Sequence, residues 1–211
     1  MIGIVDYGMG NLRSVQKAFE HLGTEARILT APEQLLKIDR LVLPGVGAFG
    51  DGMLQLAERG LIEPIHDFLA TGRPFLGICL GLQLLFECSQ EDALSPDEPV
   101  RGLGVLPGRV MRFQGEAFGP GRLKVPHMGW NRLDYRADDP LFAGQGAEPS
   151  VYFVHSYYAE PADPSHVSAS TDYGFTFCSA VRRGPLAAVQ FHPEKSQRVG
   201  LTMLARFAGM H

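Results

Sequence analysis

The stretch Gly77-Ile78-Cys79-Leu80-Gly81-Leu82-Gln83 constrains this chain more than any other. An apolar strand, Arg73 to Ile78, runs into a helical pattern, Leu80 to Glu87, with only a cysteine between them. Glycines stand two before and two after that cysteine. A strand-to-helix turn this sharp presses backbone against backbone, and a Cβ at either glycine would clash. The pattern is a G-x-nucleophile-x-G elbow with sulfur in place of a serine hydroxyl. A helix N-terminus favours the thiolate through its dipole and free N–H groups. The N–H of Leu80 points to where an oxyanion would form. Free cysteines are more often inert core residues; the paired glycines favour a nucleophile here.

The segments around the elbow alternate between strand and helix. Ile2 to Val5 reads as a strand, Leu12 to Leu22 as a helix stopped by Gly23, and Glu25 to Leu29 and Arg40 to Leu43 as strands. Met53 to Arg59 and Leu61 to Ala70 read as helices. This order predicts an α/β fold with a three-layer open, mostly parallel sheet and flanking helices. From about residue 100 onward the strands shorten and Gly, Pro or Asp interrupts them, at 103–112, 122–134, 151–158, 166–171, 175–182 and 186–191. That texture predicts an added antiparallel β portion, extending the sheet or forming a small second one. No internal repeat is visible, and residues 1–211 read as a single domain.

Asp6 to Asn11 is a Gly-containing turn onto the first helix, but it has two glycines where a dinucleotide fingerprint needs three, so a surface loop is the better reading. Pro44 to Gly52 carries four glycines in nine residues directly after a buried strand. A loop so built lets backbone approach a ligand closely at the carboxyl edge of a sheet. The N–H of Val46 or Gly47 is then a second oxyanion donor. Ser89 to Pro99 is polar and acidic and reads as an exposed linker. Trp130, in a Gly-Trp-Asn turn, suits either the core or an interface. His155 alone reads as a satisfied core histidine. The last strand, Leu186 to Phe191, ends in His192-Pro193-Glu194-Lys195, and an amphipathic helix follows. Proline restricts the turn, and residues two apart in extended chain project to one side. The Glu194 carboxylate can therefore hold one imidazole nitrogen of His192 while the other faces a substrate.

A net charge of −4 without a basic cluster argues against nucleic acid and anionic membrane surfaces as partners. No apolar run is long enough to span a bilayer, and the N-terminus lacks the basic start of a targeting peptide. Three cysteines without paired spacing suggest a reducing, cytoplasmic setting and no disulfide frame. The seven histidines form no ligand-like pairs, so neither a metal nor another cofactor is expected.

Cys79, His192 and Glu194 make a Cys-His-carboxylate set for nucleophilic acyl transfer, with Val46, Gly47 and Leu80 as oxyanion donors. Gln83 lies one helical turn past Cys79 and can bind a polar substrate head. The elbow, the Pro44-Gly45-Val46-Gly47 loop and His192-Pro193-Glu194 together resemble the class I (triad) glutamine amidotransferases over essentially the whole chain. Within them, Asp6 to Leu12, Pro44 to Phe49, Pro126 to Asn131, Tyr152 to Tyr158 and His192 to Ser196 look most like the glutaminase subunits of imidazole glycerol phosphate synthases. The resemblance implies hydrolysis of L-glutamine through a cysteine thioester. It also implies ammonia transfer to a (β/α)₈-barrel cyclase, held as a heterodimer, in histidine biosynthesis. It further implies glutamine contacts at Gly47, Gln83, Ser156 and Tyr157, and a partner face at Asn11, Trp130, Tyr152 and Lys195. A glutaminase serving another synthase and a stand-alone γ-glutamyl Cys hydrolase remain alternatives.

Overall fold

The computed structural model describes residues 1–91, 93, 95 and 98–210. Four segments alternate strand and helix at the start: β1 (Ile2–Val5), α1 (Leu12–His21), β2 (Ala26–Leu29) and β3 (Arg40–Gly45). Next come α2 (Phe49–Glu58), α3 (Ile62–Ala70), β4 (Phe75–Cys79), α4 (Leu80–Gln83), β5 (Phe86–Ser89) and β6 (Val100–Arg101). The β-rich half holds β7 (Leu106–Arg112), β8 (His127–Arg132), β9 (Asp134–Tyr135), β10 (Ser150–His155) and β11 (Tyr157–Pro161). It closes with β12 (Val167–Asp172), β13 (Thr176–Arg183), β14 (Leu186–Val189) and α5 (Gln197–Ala208).

The main sheet runs β2-β1-β3-β4-β14-β13-β11-β7-β5-β6, with β12 and β9 branching from β13. Its first five strands are parallel. Strands β13, β11 and β7 continue it antiparallel. β8 and β10 form a separate antiparallel ribbon. The sequence left two outcomes open for the antiparallel portion, and both occur.

Period-two alternation explains the layers. Leu41 and Leu43 of β3 and Phe75 of β4 join the core cluster containing Leu56 of α2 and Ile65 and Phe68 of α3. Val42, Leu76 and Ile78 point the other way, into the cluster with Val15 and Phe19 of α1 and Leu204 and Phe207 of α5. Strands covered on both faces must be apolar at every position, as β1 and β4 are.

Two local expectations fail. The Gly-rich segment 44–52 is not all loop: α2 begins at Phe49, so Gly50, Asp51 and Gly52 are helical. Gly52 is there because α4 packs close, and a Cβ on it would lie 3.2 Å from Leu80. The helix expected from Leu80 to Glu87 stops at Gln83, and Phe86 to Ser89 pairs with β7 as a strand. An apolar run of that length fits helix or strand equally, and tertiary pairing decides.

The tightest contact supports the elbow. A Cβ on Gly81 would overlap the Leu43 carbonyl oxygen, and one on Gly77 would come within 2.7 Å of the Gly81 carbonyl. Neither neighbour is a flexible side-chain end, so Gly81→Ala must displace β3 or α4. Overpacking of this kind costs about 1–3 kcal/mol, or about 2–12 °C of thermal midpoint for a domain of this size. Thermal unfolding followed by circular dichroism measures it; an unchanged midpoint would show that the elbow relaxes freely.

Candidate active site

Three parallel strand ends converge. In register, Gly45 at the end of β3 lies beside Cys79 at the end of β4. On the other side Val189 of β14 pairs with Ile78, which brings Gln190 alongside Cys79. Cys79 has φ 55° and ψ −108°, a conformation L side chains rarely adopt. The strain is imposed by the glycine contacts above and turns the thiol out at the strand-to-helix junction. α4 itself is four residues long; its dipole is correspondingly small, and the site's charge balance rests more on side chains.

His192 sits just before a 3₁₀ turn at Pro193–Lys195. Its Nδ1 is 2.8 Å from Glu194 Oε1, with both side chains almost fully buried. The backbone around the ring is pinned: His192 N–H donates to the Tyr152 carbonyl at 2.9 Å. Ser196 Oγ donates to the His192 carbonyl at 2.6 Å and accepts the Tyr152 N–H at 3.0 Å. Nε2 makes no hydrogen bond of normal geometry. The Cys79 sulfur is nevertheless close enough to influence the ring's charge. Burial by itself would push the imidazole down; the interactions with Cys79 and Glu194 outweigh it and raise it to about 10. The ring therefore holds its proton at neutral pH, next to the sulfur.

These groups open onto a cavity of about 300 Å³. Val46, Gly47 and Leu80 line it beside Cys79 and His192, and so do Gln83, Ser156 and Tyr157. Every residue expected to donate to an oxyanion or contact substrate thus borders one space. Gly47 has φ +110°, a conformation that favours glycine. Gln83 Nε2 donates to the Tyr157 carbonyl and to Gln190 Oε1, each at 3.0 Å. Both of its N–H groups are used, so what Gln83 presents to a ligand is Oε1, an acceptor.

The expected partner face is distinct. Trp130 is 49% exposed, which rules out a core role. It sits opposite Tyr152 in the β8–β10 ribbon, rings 6.1 Å apart and edge to face. Lys195 and Asn11 are exposed, Lys195 just past the Glu194 turn and Asn11 at the entry to α1.

Two residues of the site are not singled out by the sequence, one on the cavity wall and one beside Cys79. The segment Ser89 to Pro99 is not simply an exposed linker. Ser89 is buried, its Oγ accepts the Glu91 N–H at 2.9 Å, and Glu91 Oε2 takes the first N–H of α2, from Phe49, at 2.8 Å. That bend brings Glu91 to the cavity wall. Asp92, Leu94, Pro96 and Asp97 of the expected linker lie outside the described residues. Gln190 is the second. A glutamine within the apolar run Leu186 to Phe191, two residues before His192, is the signal the sequence offers, and the structure buries it fully.

Behind the cavity, a chain of hydrogen bonds has a fixed direction. His155 Nδ1 lies 2.8 Å from the Tyr157 carbonyl, which only accepts, so Nδ1 carries the proton. In the neutral ring Nε2 then accepts from His127 Nδ1 at 3.0 Å. His127 Nε2 in turn accepts from Asn131 Nδ2 at 3.3 Å. The Asn131 amide is oriented independently, since Nδ2 also donates to the Asp172 carbonyl at 2.9 Å. Burial lowers His127 to about 4. Burial, more than the neighbouring His127 and His192 charges, lowers His155 to about 3, against the opposing Tyr157 carbonyl. His155 is indeed satisfied in the core, and it also lines the cavity.

Among the described residues no cluster of His, Cys, Asp or Glu could hold a metal. The three cysteines are unpaired. No helix among the described residues is long and apolar enough to cross a membrane.

The family model "Glutamine amidotransferase class-I" matches residues 3–209. The imidazole glycerol phosphate synthase subunit HisH of Syntrophotalea carbinolica is 56% identical, covering 100% of both chains. The protein of the same name from Rhodopirellula baltica is 54% identical over 99% of this chain and 97% of its own. That from Geobacter sulfurreducens is 50% identical over 99% and 98%. Among solved structures, PurLQS from Thermotoga maritima superposes with TM-score 0.75 at 18% identity, covering 98% of this chain and 96% of that one. A crystal structure of a glutamine amidotransferase superposes at 0.72 with 22% identity over 99% of each. These last two are alike in fold.

The neutral histidine pair predicts a pH dependence. Both are lowered in the folded state, so their contribution to stability is complete above the ordinary histidine value, about 6.5. It is lost as pH falls from there towards about 4 for His127 and about 3 for His155. His127→Gln should therefore lose less thermal midpoint than the unsubstituted protein between about pH 6.5 and 4.5. Melting curves at several pH values measure this; equal slopes would assign the acid sensitivity to other groups.

Proposed function

The chain belongs to the class-I glutamine amidotransferase family, and we propose that it is the glutaminase subunit of an imidazole glycerol phosphate synthase. The observation that carries the site assignment is that Cys79, His192 held by Glu194, and Val46, Gly47 and Leu80 meet at one cavity. Identity above one half with full-length relatives of that name supports the choice of synthase.

In this reading the Cys79 thiolate attacks the side-chain carboxamide carbon of L-glutamine. The carbonyl electron pair moves to oxygen, where N–H groups of Leu80 and of Val46 or Gly47 receive the charge. His192, protonated at the start, gives its Nε2 proton to the departing nitrogen as the C–N bond breaks and ammonia leaves. The γ-glutamyl thioester remains. His192 then takes a proton from water as water attacks, and expulsion of the thiolate releases glutamate. Glu194 holds Nδ1 throughout and stabilises the imidazolium. Gly47, Ser156 and Tyr157 contact the substrate. Gln83 Oε1 and the Glu91 carboxylate form an acceptor-rich wall suited to its ammonium.

Free ammonia in water at neutral pH is mostly ammonium, which is not a nucleophile, so the product is useful only if passed directly to an acceptor site. We assign that site to a (β/α)₈-barrel cyclase subunit docked on Asn11, Trp130, Tyr152 and Lys195 as a heterodimer in the cytoplasm. No metal, other cofactor, nucleic acid or membrane enters the reaction. Residues 1–211 act as one glutaminase domain.

The complex of the two subunits tests this. Cys79→Ala should abolish glutamine-dependent cyclisation and leave ammonia-dependent cyclisation nearly intact; loss of both would make Cys79 structural. Glu194→Gln should cut glutamine-dependent turnover by about 10²–10⁴, again sparing the ammonia-driven reaction. Turnover close to normal would remove Glu194 from the mechanism.

A further inference from the structure

We propose that Gln190 is a further catalytic residue: its carboxamide N–H donates to the Cys79 sulfur and holds that sulfur in its anionic form. The inference rests on the reading of Cys79 as the nucleophile. Gln190 follows β14 directly, and the β14–β4 register sets it alongside Cys79. Its side chain has no exposure to solvent. Its Nε2 lies 3.7 Å from Cys79 Sγ, a normal separation for a hydrogen bond to sulfur.

The orientation of this amide follows from its surroundings. The Tyr157 carbonyl can only accept, so the Gln83 atom 3.0 Å from it is Nε2. The second hydrogen of that nitrogen points to Gln190 at 3.0 Å and requires an oxygen there. Gln190 therefore turns Oε1 to Gln83 and its NH₂ group to the sulfur. A reversed amide would set two NH₂ groups against each other in a site without exposure.

The bond favours one state of the sulfur. A thiol is a weak acceptor and a thiolate a strong one, so a fixed N–H donor stabilises the charged form. His192 supplies the opposite charge, and Gln190 supplies a neutral dipole that cannot compete for the proton. During catalysis the bond weakens as sulfur forms the thioester and returns when the thiolate leaves. The amide therefore favours both the resting nucleophile and the collapse of the second intermediate.

The test is alkylation of the full chain by iodoacetamide, read at Cys79 by peptide mass spectrometry, in the unsubstituted protein and in Gln190→Met. The reagent is small and makes no use of the glutamine contacts. The variant should alkylate at Cys79 about tenfold more slowly at neutral pH, the effect of losing about one pH unit of thiolate stabilisation. The deficit should shrink as pH rises, while Cys88 reacts equally in both. If the variant alkylates normally at every pH and only the KM for glutamine rises, Gln190 merely anchors Gln83 and the proposal is overturned. A second measurement uses the unsubstituted protein and does not depend on the variant folding. The Gln190 side-chain amide resonance should move as the sulfur ionises and stop moving once Cys79 is alkylated. A resonance indifferent to both overturns the proposal. An unreactive Cys79 in the unsubstituted protein sinks the nucleophile reading itself, whereas failure of the Gln190 arm alone leaves that reading standing.

Discussion

The contact between Gly81 and the Leu43 carbonyl is the constraint on which the rest of the site depends. With no side chain at 77 or 81, α4 settles directly onto β3. Cys79, caught between the strand and the helix, is forced to positive φ. The same closeness sets Gly52 of α2 against Leu80 of α4 and Leu84 just past it, within 3.2–3.3 Å of where its Cβ would be. The backbones of β3, β4 and α4 thus meet at the Cys79 junction with no side chain between them at 77 or 81. Backbone N–H groups are the natural donors in such a place, because little else fits. Strain at the nucleophile is sustained by contacts that cannot relax one at a time.

A second constraint ties the charged pair to the exterior. His192 and Glu194 are buried together, an arrangement that costs desolvation unless both partners are held. Ser196 does part of the holding, bridging the His192 carbonyl and the Tyr152 N–H, while the Tyr152 carbonyl takes the His192 N–H. Tyr152 pairs across the ribbon with half-exposed Trp130. The face proposed for the partner is therefore joined by main-chain hydrogen bonds to the base of the proposed reaction. A subunit pressing on that ribbon acts on the backbone that aims the imidazole, with no long relay required.

Much of this was legible in the sequence, for reasons that differ by residue. The alternation of buried strand and amphipathic helix through β4 requires only hydrophobic periodicity, and among these elements the start of α2, at Phe49 within the Gly-rich segment, is what periodicity misplaces. Cys79 and His192 announced themselves because glycine and proline leave few backbone options beside them. Phe86 and Glu87 read as the end of a helix because so short a run cannot distinguish strand from helix until β7, some twenty residues on, provides an edge. Glu91 was invisible for another reason. At the cavity wall its main-chain N–H donates to Ser89 Oγ and its carboxylate accepts the first N–H of α2, inside a segment whose composition says only polar. Gln190 was hidden by its neighbours: an amide in an apolar strand reads as an exception until β4 is known to lie beside it.

The buried polar side chains around the cavity also explain why a single positive charge can be maintained there. Two chains of hydrogen bonds end at the Tyr157 carbonyl. One runs from Asn131 through His127 and His155, the other comes from Gln83, which also holds Gln190. In the first chain each neutral ring donates once and accepts once, so a further proton on either ring would leave two donors facing each other. Burial opposes that proton as well, and His155 would repel His192 if it were charged. Burial thus keeps these two histidines neutral, while the carbonyl at the end of both chains fixes which nitrogen of His155 carries its one proton. His192, facing a carboxylate on one side and a sulfur on the other, is the ring on which the charge is stable. A site with three histidines in and behind its wall can in this way present one acid of defined position, because burial without a charged partner keeps two rings neutral and the carboxylate and sulfur hold the proton on the third.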